Sequence, residues 1–134
     1  MIVVDTDVLI DALRGRPDAR RRVDLELRTG ALATTSVSAF ELRSGARSGT
    51  AAEKVEALLD ALTILPFDEE AADRAAEVRR TLESEGEGIG MADYLIAGIC
   101  LARSGLLLTR NREQFGRVPG LSLGTLTDGP EMAR

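Results

Sequence analysis

The chain has 134 residues, 44% hydrophobic and only 3% aromatic, which suffices for one compact domain whose core is built from Leu, Val, Ile and Ala. Its net charge of −5, with Lys54 the sole lysine, argues against a general nucleic-acid coat, and the lack of histidine together with a single cysteine, Cys100, excludes an intrachain disulfide and Cys/His zinc sites. No apolar stretch reaches the roughly 18 residues of a membrane span, and no basic segment precedes the first apolar run, so a cytoplasmic chain without a signal peptide is expected.

Met1–Val4 is a short continuous apolar run and reads as a buried strand of a parallel sheet. Asp7 reads as the cap of a helix over Val8–Arg14, stopped by Gly15 and Pro17. A second helix is expected over Ala19–Thr29, ended by Gly30, then a strand over Ala31–Thr35 and a helix over Val37–Ser44. Val55, Leu58, Leu59 and Leu62 fall at helical spacing in Ala51–Leu62, and Thr63–Phe67 follows as a strand. Asp68 is a suitable N-cap for a long helix over Glu69–Glu85. After an acidic, glycine-rich loop over Glu83–Gly90 come an apolar helix, Met91–Arg103, and a strand, Leu106–Thr109. Leu121–Leu126 reads as a last strand, and residues 127–134 as a frayed tail after a single domain of residues 1–126. This alternation predicts an α/β/α sandwich around a mainly parallel sheet, with ligands outside the carboxyl ends of the strands.

Three carboxylates stand at the ends of apolar segments. Asp5 ends the first run, Glu41 lies in Ser38-Ala39-Phe40-Glu41-Leu42, and Asp93 opens Ala92-Asp93-Tyr94-Leu95-Ile96-Ala97. Distant acids brought to one pocket suit a hard divalent cation such as Mg²⁺ or Mn²⁺ and metal-assisted phosphodiester chemistry. Each acid also has a plain structural explanation. Asp5 would cap the turn after the first strand. Ser38-x-x-Glu41 matches a capping box, and Asp93 suits the first turn of a helix through the helix dipole. Arginines crowd the first segment and follow Glu41 as Arg43 and Arg47, which fits either a basic rim around the acids or a solvated helix face. The run Val4-Asp5-Thr6-Asp7 is also similar to the D-x-D motif of haloacid-dehalogenase-type phosphotransferases, in which the first Asp is a nucleophile. That chemistry needs a lysine after a later strand and an acidic pair near the end of the sheet, whereas Lys54 lies near the start of a helix and no such pair follows Leu106–Thr109.

Several segments together carry a closer likeness. They are Ile2-Val3-Val4-Asp5-Thr6-Asp7-Val8-Leu9-Ile10, Thr35-Ser36-Val37-Ser38-Ala39-Phe40-Glu41-Leu42, Met91-Ala92-Asp93-Tyr94-Leu95, and Leu107-Leu108-Thr109-Arg110-Asn111-Arg112-Glu113-Gln114-Phe115, closed by Arg117-Val118-Pro119-Gly120-Leu121. In order and spacing the chain resembles PIN-domain proteins, and more narrowly the VapC-like toxins of toxin–antitoxin pairs. The resemblance implies a Mg²⁺- or Mn²⁺-dependent endoribonuclease, a cognate antitoxin and a homodimer. Asp5, Glu41 and Asp93 are the implied metal ligands, and Asn111 stands where the family usually has a fourth acid. With Asn111 carrying no charge, occupancy of a second metal site is open, and an inactive PIN fold that only binds a partner is the competing reading. Thr109 and Ser36 are candidate supporting hydroxyls. Arg14, Arg43, Arg110 and Arg112 are candidate holders of RNA phosphates, and Asp7 and Asp11 are assigned to stabilising the first helix. The helices around Val8–Leu13 and Val55–Leu62 are candidate docking surfaces for an antitoxin helix or a second subunit.

Overall fold

The computed structural model describes residues 1–126, so the expected tail from Thr127 lies outside the described residues. Five short strands, β1 (Ile2–Val4), β2 (Leu32–Thr35), β3 (Thr63–Leu65), β4 (Leu106–Leu108) and β5 (Ser122–Gly124), form one sheet in the order β3-β2-β1-β4-β5. Every pairing is parallel. The chain builds outward from β1 to β3, then returns to lay β4 on the other side of β1. The strand order therefore reverses between β1 and β4, and their carboxyl ends flank the crevice where parallel sheets bind ligands.

The helices are α1 (Thr6–Leu13), α2 (Pro17–Arg28), α3 (Ser36–Gly45), α4 (Gly49–Asp60), α5 (Glu69–Ser84), α6 (Met91–Ala102) and the single turn α7 (Arg112–Phe115). Successive strand residues face opposite layers. Val3, Ala33 and Leu107 pack with Val78 and Leu82 of α5, Ile96 and Ile99 of α6, and Phe115. Val4 and Leu32 pack with Val8 and Leu9 of α1, Val23 of α2, Leu42 of α3 and Leu59 of α4. The result is the expected α/β/α sandwich. Cys100 is wholly buried in the first cluster, and burial pushes its thiol up to about 12, so it is an inert core residue.

The helix starts show where local signals competed. Thr35, not Ser38, caps α3 and takes the Ser38 N–H at 3.0 Å, so Ser38-x-x-Glu41 is not a capping box and Glu41 lies one turn inside the helix. Asp5, not Asp7, caps α1. Asp68 caps α5 as expected, accepting the Ala71 N–H at 3.0 Å. The last strand is three residues long rather than six, and α7 has no counterpart in the sequence reading.

Between α5 and α6 the backbones approach closely. A Cβ placed on Gly98 would stand 2.5 Å from the Ala71 carbonyl oxygen and 2.7 Å from the Ala75 Cβ, so any side chain there would force the two helices apart. No helix among the described residues is long and apolar enough to cross a membrane.

Candidate metal centre and active site

Asp5 leaves the end of β1 at the crevice, its backbone N–H bonded to the Leu108 carbonyl of β4 at 2.9 Å. That bond fixes the two strand ends side by side. One carboxylate oxygen, Oδ1, accepts the Thr6 N–H at 2.8 Å, and the other, Oδ2, accepts the Thr109 hydroxyl at 2.7 Å. Asp5 is thus both the cap of α1 and a member of the site; the two readings of the sequence are compatible. Burial, aided by the charge of Asp7, raises its carboxyl from the usual 3.8 to about 7, against the pull of the Thr109 and Thr6 bonds.

Glu41 reaches the same crevice from α3. The Thr6 hydroxyl bridges Ser38 Oγ at 2.8 Å and Glu41 Oε1 at 2.7 Å, and because a carboxylate can only accept, the Thr6 proton belongs to Glu41. Thr35 completes the line, its hydroxyl donating to Ser38 Oγ at 3.2 Å. Asp93 enters from the first turn of α6. The glycine-rich loop before it is held by the Tyr94 hydroxyl, which accepts the Ile89 N–H at 3.1 Å, and by Arg117, which donates to the Gly88 carbonyl at 3.1 Å. Asp93 Oδ2 accepts the Asn111 side-chain amide at 3.3 Å, and the same amide donates to Gln114 Oε1 at 3.3 Å. A first-turn acid is ordinarily favoured in its charged form by the helix dipole. Here burial and the charges of Glu41 and Asp7 overrule the dipole and raise the Asp93 carboxyl.

Asp7 belongs with these groups. Its Oδ2 accepts the backbone N–H of Arg110 at 3.1 Å, while Oδ1 is buried and has no hydrogen-bond partner among the described residues. Burial raises its carboxyl too. The sequence assigned Asp7 to the first helix, because a helix start of the form Asp-Thr-Asp explains itself by capping alone, and it gave no site role to Thr6, Ser38 or Gln114. Ser36, by contrast, turns away and accepts the Phe67 N–H at 3.2 Å.

The arginines divide. Arg43 pairs with Glu56 through two hydrogen bonds of 2.8 and 3.0 Å. Arg110 is taken up by Asp11, through a short bond, and by both oxygens of Asp18 at 3.0 Å. Arg112 is exposed on α7. Arg14 lies with Lys54 on a groove of about 570 Å³ between α1, α3 and α4, which opens beside Glu41 and is otherwise lined by Ile10, Leu13, Leu42 and Val55 among others.

Among the described residues, no three His, Cys, Asp or Glu side chains stand grouped so as to hold a metal ion. The donor set nevertheless fits a hard divalent cation. All the groups are oxygens, their negative charges oppose one another in a half-buried crevice, and the Asp7 oxygen is a buried acceptor with nothing to accept.

The sequence profile of the PIN domain matches residues 2–121, nearly the whole described chain. The chain belongs to the PIN-domain family. Within it, the chain is a VapC-like toxin–antitoxin protein. It is 38% identical over 115 residues to ribonuclease VapC10 of Mycobacterium tuberculosis, covering 86% of each chain. It is 29% identical over 125 residues to the tRNA(fMet)-specific endonuclease VapC of Salmonella typhimurium, covering 90% of this chain and 94% of that one. Its fold superposes with a TM-score of 0.84 on a chain of VapBC2 from Rickettsia felis, solved bound to a DNA fragment from their promoter, at 29% identity and over 93% of this PIN chain and 98% of that one.

Proposed function

We propose that this PIN chain is a metal-dependent endoribonuclease toxin, held in check by a cognate antitoxin. The observation that carries the reading is the convergence of Asp5, Glu41 and Asp93 at the strand-order reversal, on a chain whose relatives are ribonucleases. Asp5, Glu41 and Asp93 are the residues that would hold Mg²⁺ or Mn²⁺. When bound, the ion neutralises their repulsion and supplies an activated water and a counter-charge for the phosphate.

The rest of the work falls to the chain. Thr109 and Thr6 each fix one carboxylate by a hydroxyl proton, so Asp5 and Glu41 enter the reaction already oriented. Asp93 or Glu41 accepts the proton of an attacking water, and the Asn111 amide holds the Asp93 carboxylate at 3.3 Å. Water attack at phosphorus forms one P–O bond and breaks the bond to the 3′ oxygen of the upstream sugar, which takes up a proton from water, so the phosphate stays on the 5′ end of the downstream fragment. Arg14, free of the pairing that occupies Arg43 and Arg110, and the exposed Arg112 are suited to hold flanking phosphates. The apolar groove beside Glu41 suits an antitoxin helix, which would then stand at the mouth of the site. A homodimer follows from the family likeness.

The replacement of the usual fourth acid by Asn111 favours one other reading, a PIN fold kept for binding alone. Both are tested by incubating a mixed RNA pool with purified, antitoxin-free protein and Mg²⁺, Mn²⁺ or EDTA, then analysing fragment ends. Cleavage that needs metal and leaves a phosphate on the downstream fragment is expected. A cyclic phosphate on the upstream fragment would instead mark attack by the ribose hydroxyl and contradict the mechanism. No cleavage by folded protein that still binds its antitoxin would favour the binding module.

A further inference from the structure

Three features of Asp7 do not belong to a helix cap. The cap of α1 is already Asp5. One Asp7 oxygen is tethered from outside the helix, by the Arg110 backbone N–H across the crevice. The other is buried and has no hydrogen-bond partner among the described residues, an arrangement that costs free energy unless a donor or a cation fills it. The tether is itself braced, because the Arg110 guanidinium grips Asp11 of α1 and Asp18 of α2. Thr109, Arg110 and Asn111 are consecutive, and each holds one acid. Thr109 holds Asp5, the Arg110 N–H holds Asp7, and Asn111 holds Asp93. One loop therefore presents three carboxylates to one crevice.

We propose that Asp7 is the fourth carboxylate of the cation site, supplying the negative charge that Asn111 lacks. The inference rests on the metal-dependent reading above and names a further residue of that site. Arg110 is then a positioning residue: its backbone sets Asp7 and its side chain fixes the loop, and it is not a phosphate holder.

The test compares wild type, Asp7→Asn, Asp24→Asn and the double variant Asp7→Asn/Asn111→Asp by Mn²⁺ binding, read from the electron paramagnetic resonance of free Mn²⁺, and by melting temperature in EDTA. Asp7→Asn is expected to weaken Mn²⁺ binding by about tenfold or more and to raise the melting temperature in EDTA, because it removes an unpaired charge. Asp24→Asn, an exposed carboxylate of α2 remote from the crevice, leaves Mn²⁺ affinity unchanged, and Asn111→Asp restores it in the Asp7→Asn background. Wild-type Mn²⁺ affinity in Asp7→Asn would overturn the proposal, and a lowered melting temperature in EDTA would mark Asp7 as an ordinary first-turn acid. Where wild type cleaves RNA with Mn²⁺, such a result removes only Asp7. Where wild type neither binds Mn²⁺ nor needs it to cleave, the metal reading falls and the proposal with it. Should Asp7→Asn not fold, the carboxyl carbon resonances of wild type decide. Mg²⁺ is expected to shift those of Asp5, Asp7 and Asp93 together, and an unmoved Asp7 would overturn the assignment.

Discussion

A carboxylate at the end of a buried strand can be a cap, a ligand or both, and Asp5 is the case in point. Its Oδ1 caps α1 while its Oδ2 is turned to Thr109. Removing that second partner tests the site role, and it also frees the Asn111 backbone N–H, which the same hydroxyl accepts at 3.0 Å. Thr109→Val keeps the shape of a wholly buried residue and deletes one hydroxyl, so the fold is expected to survive while RNA cleavage falls about tenfold to a hundredfold. Unchanged cleavage rates in Thr109→Val would mean that the hydroxyl serves only the strand end. The three principal acids stood out in the sequence because each stands at the mouth of an apolar segment, although each also had a plain structural explanation there. Asp7 and Thr6 did not. Asp-x-Asp at a helix start satisfies capping rules by itself, and only the spatial approach of Arg110 and Glu41 shows what the two residues face. Arg43 and Arg110 looked available to RNA for the same reason: their partners Glu56, Asp11 and Asp18 lie at sequence separations that no local pattern reveals.

Helices and strands were read well where a period or a stop signal exists. Asp68, the apolar face of α5 and the continuous apolar run of α6 mark their elements by composition alone. The single turn α7 was invisible because four residues carry no period, yet it places Gln114 against Asn111. The close seam between α5 and α6 was also hidden, since a glycine in an apolar helix looks the same whether or not a backbone lies against it. Gly98→Ala tests that seam. Alanine favours a helix by up to about 1 kcal/mol, but the clash with the Ala71 carbonyl and with Ala75 is expected to outweigh it and destabilise the protein by about 1–3 kcal/mol in urea unfolding. A more stable Gly98→Ala would show that α6 can move away freely. Loss of the α5 cap by Asp68→Ala is expected to cost about 1 kcal/mol, with the exposed Asp68–Arg103 pair adding little.

At the scale of the whole molecule, layer architecture was legible but strand order was not. Alternation of strand and helix dictates a parallel sheet between two layers, whereas the β3-β2-β1-β4-β5 order depends on which distant strands pair. That order is what matters for function, since it sets the ends of β1 and β4 side by side and gathers acids from four elements. The gathering has a thermodynamic consequence. Asp5 has a folded-state carboxyl raised from 3.8 to about 7, so between those values the folded chain binds more protons than the unfolded one. Stability then falls as pH rises through that window. In EDTA, the unfolding free energy of wild type relative to Asp5→Asn is expected to decline from about pH 4 to about pH 7 and level off above. A rising difference would reverse the assigned sign. Mg²⁺ should offset the loss at high pH, because it binds the deprotonated acids.

The most direct single measurement is the rate of RNA cleavage by antitoxin-free protein as Mg²⁺ is titrated, with Asp5→Asn alongside. Expected is a saturable dependence on Mg²⁺ in wild type, no activity in EDTA, and loss of cleavage in Asp5→Asn protein that still melts cooperatively. Cleavage retained by Asp5→Asn, or wild-type cleavage undiminished in EDTA, would contradict a nuclease centre built on these carboxylates.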